Sequence, residues 1–328
     1  MNVMNVNRTC PRVGLGCLTQ LHTNRANVVV KLLCFGMTSE RSRHAAGNIL
    51  LRSISAQRPA VGYAPATGLL VILAIVTGCV NMVDASLFQP QPVSAMQHRW
   101  TSRPPVSVTA RTADGLALSG WFWPPLDPSG DIVLFLPGRA GNRDIAAAQA
   151  EPFAADGRGV LVASYRGYGS NLGKPSEKGL YLDGAAFADL ARTLRGTGRL
   201  YLFGDGLGSA VALRTAARAD VSGTVTLGAF DRFSSFAPPA LRAFYSNAFD
   251  NVAAIRRVKT PVVLMHGRKD QVVPIAAAEV LRQAAGGTAI VAPIDGDAYH
   301  SVDLKFVAPT AWRAFDQMGV MTRRPPAK

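Results

Sequence analysis

Leu200-Tyr201-Leu202-Phe203-Gly204-Asp205-Gly206-Leu207-Gly208-Ser209-Ala210-Val211-Ala212 is the stretch that decides the fold. Its first four residues are apolar and read as a buried strand. Glycines at 204, 206 and 208 mark a sharp turn, and from Leu207 onward the pattern is that of a helix. Strand, glycine-rich turn and helix in this order form the context of a nucleophile elbow, spelled Gly-x-Ser-x-Gly. Gly204 and Gly208 hold the two small flanking positions, and Leu207 holds the position after the nucleophile. The central position is Gly206, so the turn is present and its hydroxyl is missing.

Downstream, the remaining members of a nucleophile–acid–histidine set appear in the chain order that accompanies such an elbow. Residues 261–265 are a short apolar strand ending in His266-Gly267, and Arg268-Lys269-Asp270-Gln271 places Asp270 in the loop beyond the strand's carboxyl end. Asp270 is the candidate acid, with helix capping as the competing explanation. After a further strand at 289–292, the loop Asp295-Gly296-Asp297-Ala298-Tyr299-His300-Ser301 supplies His300 as the candidate base. An imidazole in so polar a loop has no packing reason to be there. His266, at the end of a buried strand, reads as structural.

Around these motifs the chain alternates. A hairpin at 106–109 and 116–122 turns at Asp114-Gly115. Strands follow at 132–136, 160–164, 200–203, 223–227, 261–265 and 289–292, with helices at 145–155, 180–194, 207–218, 275–285 and 310–318. Two antiparallel strands followed by β-α alternation predict an α/β fold with a mostly parallel sheet covered on both faces. Residues 230–259 have room for one helix and a loop and none for a large cap, so the site should be shallow and open.

At this point the sequence resembles the α/β-hydrolase superfamily, within it the small membrane-tethered or lipoprotein serine hydrolases. The resemblance covers about 106–318. Ser164-Tyr165-Arg166-Gly167-Tyr168-Gly169-Ser170 is similar to the family's Asp-Tyr-Arg-Gly-Tyr-Gly-x turn, and Gly173-Lys174-Pro175-Ser176-Glu177-Lys178-Gly179-Leu180-Tyr181-Leu182-Asp183 to its Gly-x-Pro-Ser-Glu-x-Gly-Leu-x-x-Asp segment. Three departures fall near the site. Gly206 replaces the serine, Pro137 replaces the histidine of the oxyanion motif His-Gly-x-x-Gly-Asn, and Ser164 replaces the aspartate of the turn. The resemblance implies hydrolysis of a carboxylic ester, thioester or amide by a serine. Its oxyanion donors carry over to the backbone N–H groups of Leu207 and Arg139, which survive side-chain changes. It implies no cofactor and a small acyl substrate or ligand, and the missing nucleophile implies impaired catalysis, a pseudoenzyme.

Two other residues could supply a displaced nucleophile. Asp205 is out of register, because centring the turn on it would put Phe203 and Leu207 in the small flanking positions. Ser209 falls in the first helical turn, where a hydroxyl bonds to backbone. A metal site is not expected: the globular part holds His266 and His300, with His98 before it, and no cysteine after Cys79.

The net charge of +14 is uneven. Residues 1–60 carry eight Arg or Lys against Glu40, half of the excess, and the rest is spread without a basic run, which argues against nucleic-acid binding. Residues 59–83 carry no charge. Their apolar core at 68–76 is short for a spanning helix of about 20 residues and suits a secretory signal core. The ending Val76-Thr77-Gly78-Cys79 resembles the lipobox of bacterial lipoproteins, with Cys79 as the lipidated residue and Leu87-Phe88-Gln89-Pro90 following as a family-like motif. An uncleaved signal anchor is the alternative. Either way the expectation is a membrane-anchored protein on the periplasmic side of a bacterial cell envelope. The division is then a basic extension at 1–60, whose start lies too far upstream of a signal core, a leader at 61–85, a linker at 86–104, the hydrolase domain at 105–320 and a tail at 321–328.

Overall fold

The computed structural model describes residues 87–93, 98–101, 103–128, 130–235, 242, 248–295 and 302–321, all within the compact unit Gly62–Lys328. The basic extension, the leader with Cys79, the loop 296–301 with His300 and residues 322–328 lie outside the described residues.

In chain order the elements are β1 (Gln89–Pro90), β2 (Val106–Arg111), β3 (Ala117–Trp123), β4 (Ile132–Leu136), β5 (Ala140–Gly141), α1 (Arg143–Ala150), β6 (Gly159–Val162), α2 (Glu177–Leu194), β7 (Leu200–Asp205), α3 (Leu207–Ala216), β8 (Gly223–Leu227), α4 (Asn251–Ile255), β9 (Val262–Gly267), α5 (Ala276–Ala284), β10 (Ala289–Ile294) and α6 (Leu304–Met321). Eight strands form one sheet in the order β10-β9-β8-β7-β4-β6-β3-β2. Pairings from β10 to β6 are parallel, and β3 and β2 join antiparallel.

Alternation along the strands puts half of their side chains on each face. Ile132, Leu134 and Leu136 of β4, with Leu200 and Leu202 of β7, join the core covered by α2, α3, α4 and α5. Val133, Phe135, Tyr201 and Phe203 point the other way, into the core covered by α1 and α6. Both faces are therefore buried, and central strands read as unbroken apolar runs. The chain runs from β4 to β6 on one side and returns to β7 on the other, so the sheet changes direction at β4. Ligands of such sheets bind beyond the strands' carboxyl ends at that switch point.

The Tyr165-Arg166-Gly167-Tyr168 turn is held by charge. The Arg166 backbone N–H donates to Asp183 Oδ2 at 2.9 Å and its Nε to Asp183 Oδ1 at 2.9 Å, while Nη1 donates to Asp114 Oδ2 at 2.6 Å. Asp183 is fully buried, and one guanidinium thus ties the hairpin turn, the loop after β6 and helix α2 together. The Asp114 carboxyl is held well below the usual range, chiefly by its hydrogen bond from Arg166.

Three expectations need correction. Helix α1 stops at Ala150, not 155, because Glu151-Pro152 turns into a tighter 3-10 segment, Glu151–Gly157. Helix α6 starts at Leu304, six residues before the expected 310. Asp303 Oδ1 accepts the Lys305 N–H at 3.0 Å and starts the helix, and Pro309 is accommodated inside it. The linker is not loose at its start: Phe88 is buried, and Gln89–Pro90 pairs in parallel with Ala140–Gly141.

Candidate active site

Gly206 connects β7 to α3 with φ 50° and ψ −111°, a conformation that L side chains adopt only under strain. Its N–H donates to Leu227 O at 2.9 Å, and its carbonyl accepts the Ser209 N–H at 3.0 Å. The flanking glycines are steric requirements. A Cβ on Gly204 would lie 2.6 Å from the Gly208 carbonyl oxygen, and one on Gly208 only 2.0 Å from the Leu136 carbonyl oxygen. Helix α3 thus starts directly against the end of β4, where the oxyanion loop begins.

That loop, Pro137 to Asn142, is fastened at several points. Asn142 Oδ1 caps α1, accepting from Asp144 N and Ile145 N at 2.9 and 3.0 Å. Tyr165 Oη donates to Pro137 O at 3.1 Å, and Tyr168 Oη donates to Arg139 O at 2.6 Å. Proline at 137 therefore coexists with an ordered loop. Ser164, where the resemblance expects aspartate, keeps its hydroxyl buried without a hydrogen-bond partner.

Arg139, Gly206 and Leu207 line one cavity of about 130 Å³, together with Leu87, Gly228, Phe230, Phe233, Val272 and Val273. The two residues named as oxyanion donors and the empty nucleophile position thus share a single apolar pocket. Asp270 is buried in the turn after β9, where its Oδ1 accepts the N–H groups of Val272 and Val273 at 2.8 and 2.9 Å. It thereby sets the loop that supplies two pocket walls. His266 is fully buried, and its Nε2 donates to Val273 O at 2.7 Å, the structural role expected of it. His300 lies outside the described residues, six positions along the chain from the end of β10.

Neither alternative nucleophile is arranged for attack. Ser209 is fully buried, with its hydroxyl donating to Gly204 O at 2.9 Å and 3.3 Å from Leu227 O. Asp205 points beneath the turn, with Oδ2 3.4 Å from the position a Cβ on Gly138 would take and Oδ1 buried without a hydrogen-bond partner.

Burial pushes the Asp205 carboxyl up to about 7 from 3.8. An acid raised on folding binds its proton more tightly in the folded state, so stability falls as pH rises from about 4 to 7 and is level above that. Three pH units correspond to at most about 4 kcal/mol, less where the residue keeps some contact with water. Asp205→Asn should therefore be more stable than the natural chain at pH 8 by about 2–4 kcal/mol and lose the slope between pH 4 and 7. Urea midpoints across that range measure both effects.

Sequence reading missed the pocket walls Leu87, Phe230 and Phe233. For Leu87 the signal was present, in the Leu87-Phe88-Gln89-Pro90 motif, which reads as a neighbour of the leader and not as part of a site.

No protein-family model matches the chain. An uncharacterized protein of Mycobacterium tuberculosis is 32% identical over 186 residues, covering 54% of this chain and 66% of that protein, slightly less than two thirds of its length. The alpha/beta hydrolase domain-containing protein 17B of Xenopus laevis is 31% identical over 117 residues, covering 35% of this chain and 41% of that protein. Among solved structures, an alpha-beta hydrolase from Vibrio vulnificus matches with a TM-score of 0.59 at 17% identity, covering 72% of this chain and 92% of that one. An esterase from Pyrococcus furiosus matches with a TM-score of 0.53 at 19% identity, covering 73% and 97%. Sheet order, elbow turn and these likenesses together identify the chain as a protein of the α/β-hydrolase fold.

Proposed function

We propose that this chain is a relative of serine esterases and thioesterases that keeps their acyl pocket and is catalytically impaired at the nucleophile. The observation that carries this reading is Gly206 itself, which holds an elbow conformation at the mouth of an apolar cavity yet has no side chain to attack with. Asp270 and His300 are the proposed acid and base. With no hydroxyl at 206, no acyl-enzyme forms, and the step left is direct hydrolysis. His300 takes a proton from water as the water oxygen bonds to the acyl carbon, and the backbone N–H groups of Leu207 and Arg139 hold the resulting oxyanion. Collapse of this tetrahedral intermediate re-forms the carbonyl, breaks the acyl carbon–oxygen bond and passes the proton from His300 to the leaving alkoxide. Catalysis lacking one triad member retains only about 10³ to 10⁴-fold over water.

Hydrolysis of p-nitrophenyl butyrate by the natural chain and by Ser209→Ala tests this. The expected result is slow turnover, equal in the two proteins. Turnover at the ordinary enzymatic level of about 1 to 10³ s⁻¹, lost in Ser209→Ala, would mean a displaced nucleophile.

The proposed location is the outer side of a membrane, through a lipid on Cys79. What supports it is the basic leader, the short apolar core and the Val-Thr-Gly-Cys ending. No helix among the described residues is long and apolar enough to cross a membrane. Cys79→Ser should move the protein from membrane to soluble fractions and abolish fatty-acid labelling; an unlabelled natural chain and a variant still in the membrane fraction would leave a signal anchor in its place.

A further inference from the structure

The segment 87–93 follows the leader within a few residues, and it is built into the site. The Gln89 N–H donates to Arg139 O at 2.9 Å, the Gln91 N–H to Gly141 O at 2.7 Å, and Gln91 O accepts the Gly169 N–H at 3.1 Å. Asn142 Nδ2 donates to Pro92 O at 2.8 Å. Four hydrogen bonds therefore join this strap to the oxyanion loop and the turn beside it. Phe88 is buried with its ring 6.3 Å from Phe249, which anchors the strap from below. Leu87, the residue before this anchor, lines the cavity.

We propose that the strap makes this a pocket for short acyl groups, with Leu87 as the residue that sets acyl length. This inference rests on the reading of the cavity as an acyl site. The cavity holds about 130 Å³, and an apolar cavity of roughly 150 Å³ is filled by benzene. That volume matches an acyl group of about four to six carbons. A longer chain must displace a wall, and the walls differ in how they are held. Val272 and Val273 sit on the Asp270 turn and Leu207 in helix α3, both braced by several hydrogen bonds. Leu87 precedes the first strap hydrogen bond, and its half-buried side chain packs at the edge of the core where it forms one boundary of the pocket. Size changes there alter the space at the cost of a half-buried apolar contact, not of a strap hydrogen bond.

The test uses the full chain carrying Gly206→Ser and a series of p-nitrophenyl esters from acetate to decanoate. The expected optimum is at four to six carbons. Leu87→Ala should raise the ratio of kcat/KM for decanoate over acetate at least tenfold, and Leu87→Trp should lower the ratio for hexanoate over acetate at least tenfold, in keeping with a discrimination of about 10-fold or more per methylene-sized change in a fitted pocket. A residue that merely stabilised the fold would shift every ester in the same direction for both variants. A length profile that is unaltered by either variant overturns the inference. If Gly206→Ser hydrolyses no ester, the hydrolase reading fails instead. The strap is then read on the natural chain by calorimetric titration with butyrate and decanoate. Opposite shifts in Leu87→Ala and Leu87→Trp uphold the inference, while no uptake of either acid, or uptake indifferent to residue 87, overturns it.

Discussion

On the proposed reading, Gly206→Ser should raise hydrolysis of a short acyl ester on the order of 10³-fold over the natural chain, because it returns a hydroxyl to the elbow within reach of the proposed base His300. The oxyanion donors assigned to Leu207 and Arg139 are backbone groups, and both residues line the same pocket as Gly206. Gly206 already has the backbone conformation of an elbow and lines the pocket, so the turn itself is in place for a serine there. The same conformation has a cost. A β-carbon at φ 50° is strained, and the variant should be about 1–3 kcal/mol less stable than the natural chain. Gain of kcat/KM together with loss in urea midpoint is the expected signature. A folded variant with no gain would place the decay beyond the nucleophile, at Pro137, Ser164 or His300.

Gly208→Ala is expected to be the most damaging single change at the elbow. Its Cβ would lie 2.0 Å from the Leu136 carbonyl oxygen, 2.6 Å from that of Pro137 and 2.7 Å from the Leu136 carbonyl carbon, all backbone atoms with no rotamer through which to retreat. Helix α3 would have to move away from β4, opening the tightest contact between helix and sheet and shifting the oxyanion loop with it. Overpacking in a core typically costs about 1–3 kcal/mol; a clash with strand backbone exceeds that range, and about 4 kcal/mol or more is expected. Denaturant unfolding, or failure to accumulate soluble protein, checks this. A variant with an unchanged midpoint would show that α3 does not sit so close to β4.

These two glycines were legible because their requirement is local: the spelling of a strand-turn-helix junction is written in five consecutive residues. The strand 223–227 coincides with β8 for a related reason, since Thr224, Val225 and Thr226 are consecutive β-branched residues. Signals that depend on distant partners were not legible. Gln89–Pro90 becomes a strand only because Ala140–Gly141 lies beside it, some fifty residues away in the chain, and a two-residue strand has no periodicity of its own. The helix expected from 310 starts at Leu304 and runs through Pro309, although proline lacks a backbone donor, with the Asp303 carboxylate bonded at its start. The surroundings of the Asp205 carboxyl were likewise invisible, because its register in the elbow says nothing about Oδ1 being buried and Oδ2 facing Gly138. Of the candidate site, Gly206, Leu207 and Arg139 line one pocket and Asp270 holds the turn that carries its walls Val272 and Val273, while His300 lies outside the described residues.

The central claim is that the pocket lacks only its nucleophile. Intact-mass spectrometry after exposure to a fluorophosphonate tests it most directly, since the reagent adds covalently to an activated serine hydroxyl. The natural chain should remain at its unmodified mass and Gly206→Ser should gain one adduct, mapped by peptide analysis to residue 206. An adduct on the natural chain, or none on a folded Gly206→Ser protein, would contradict it.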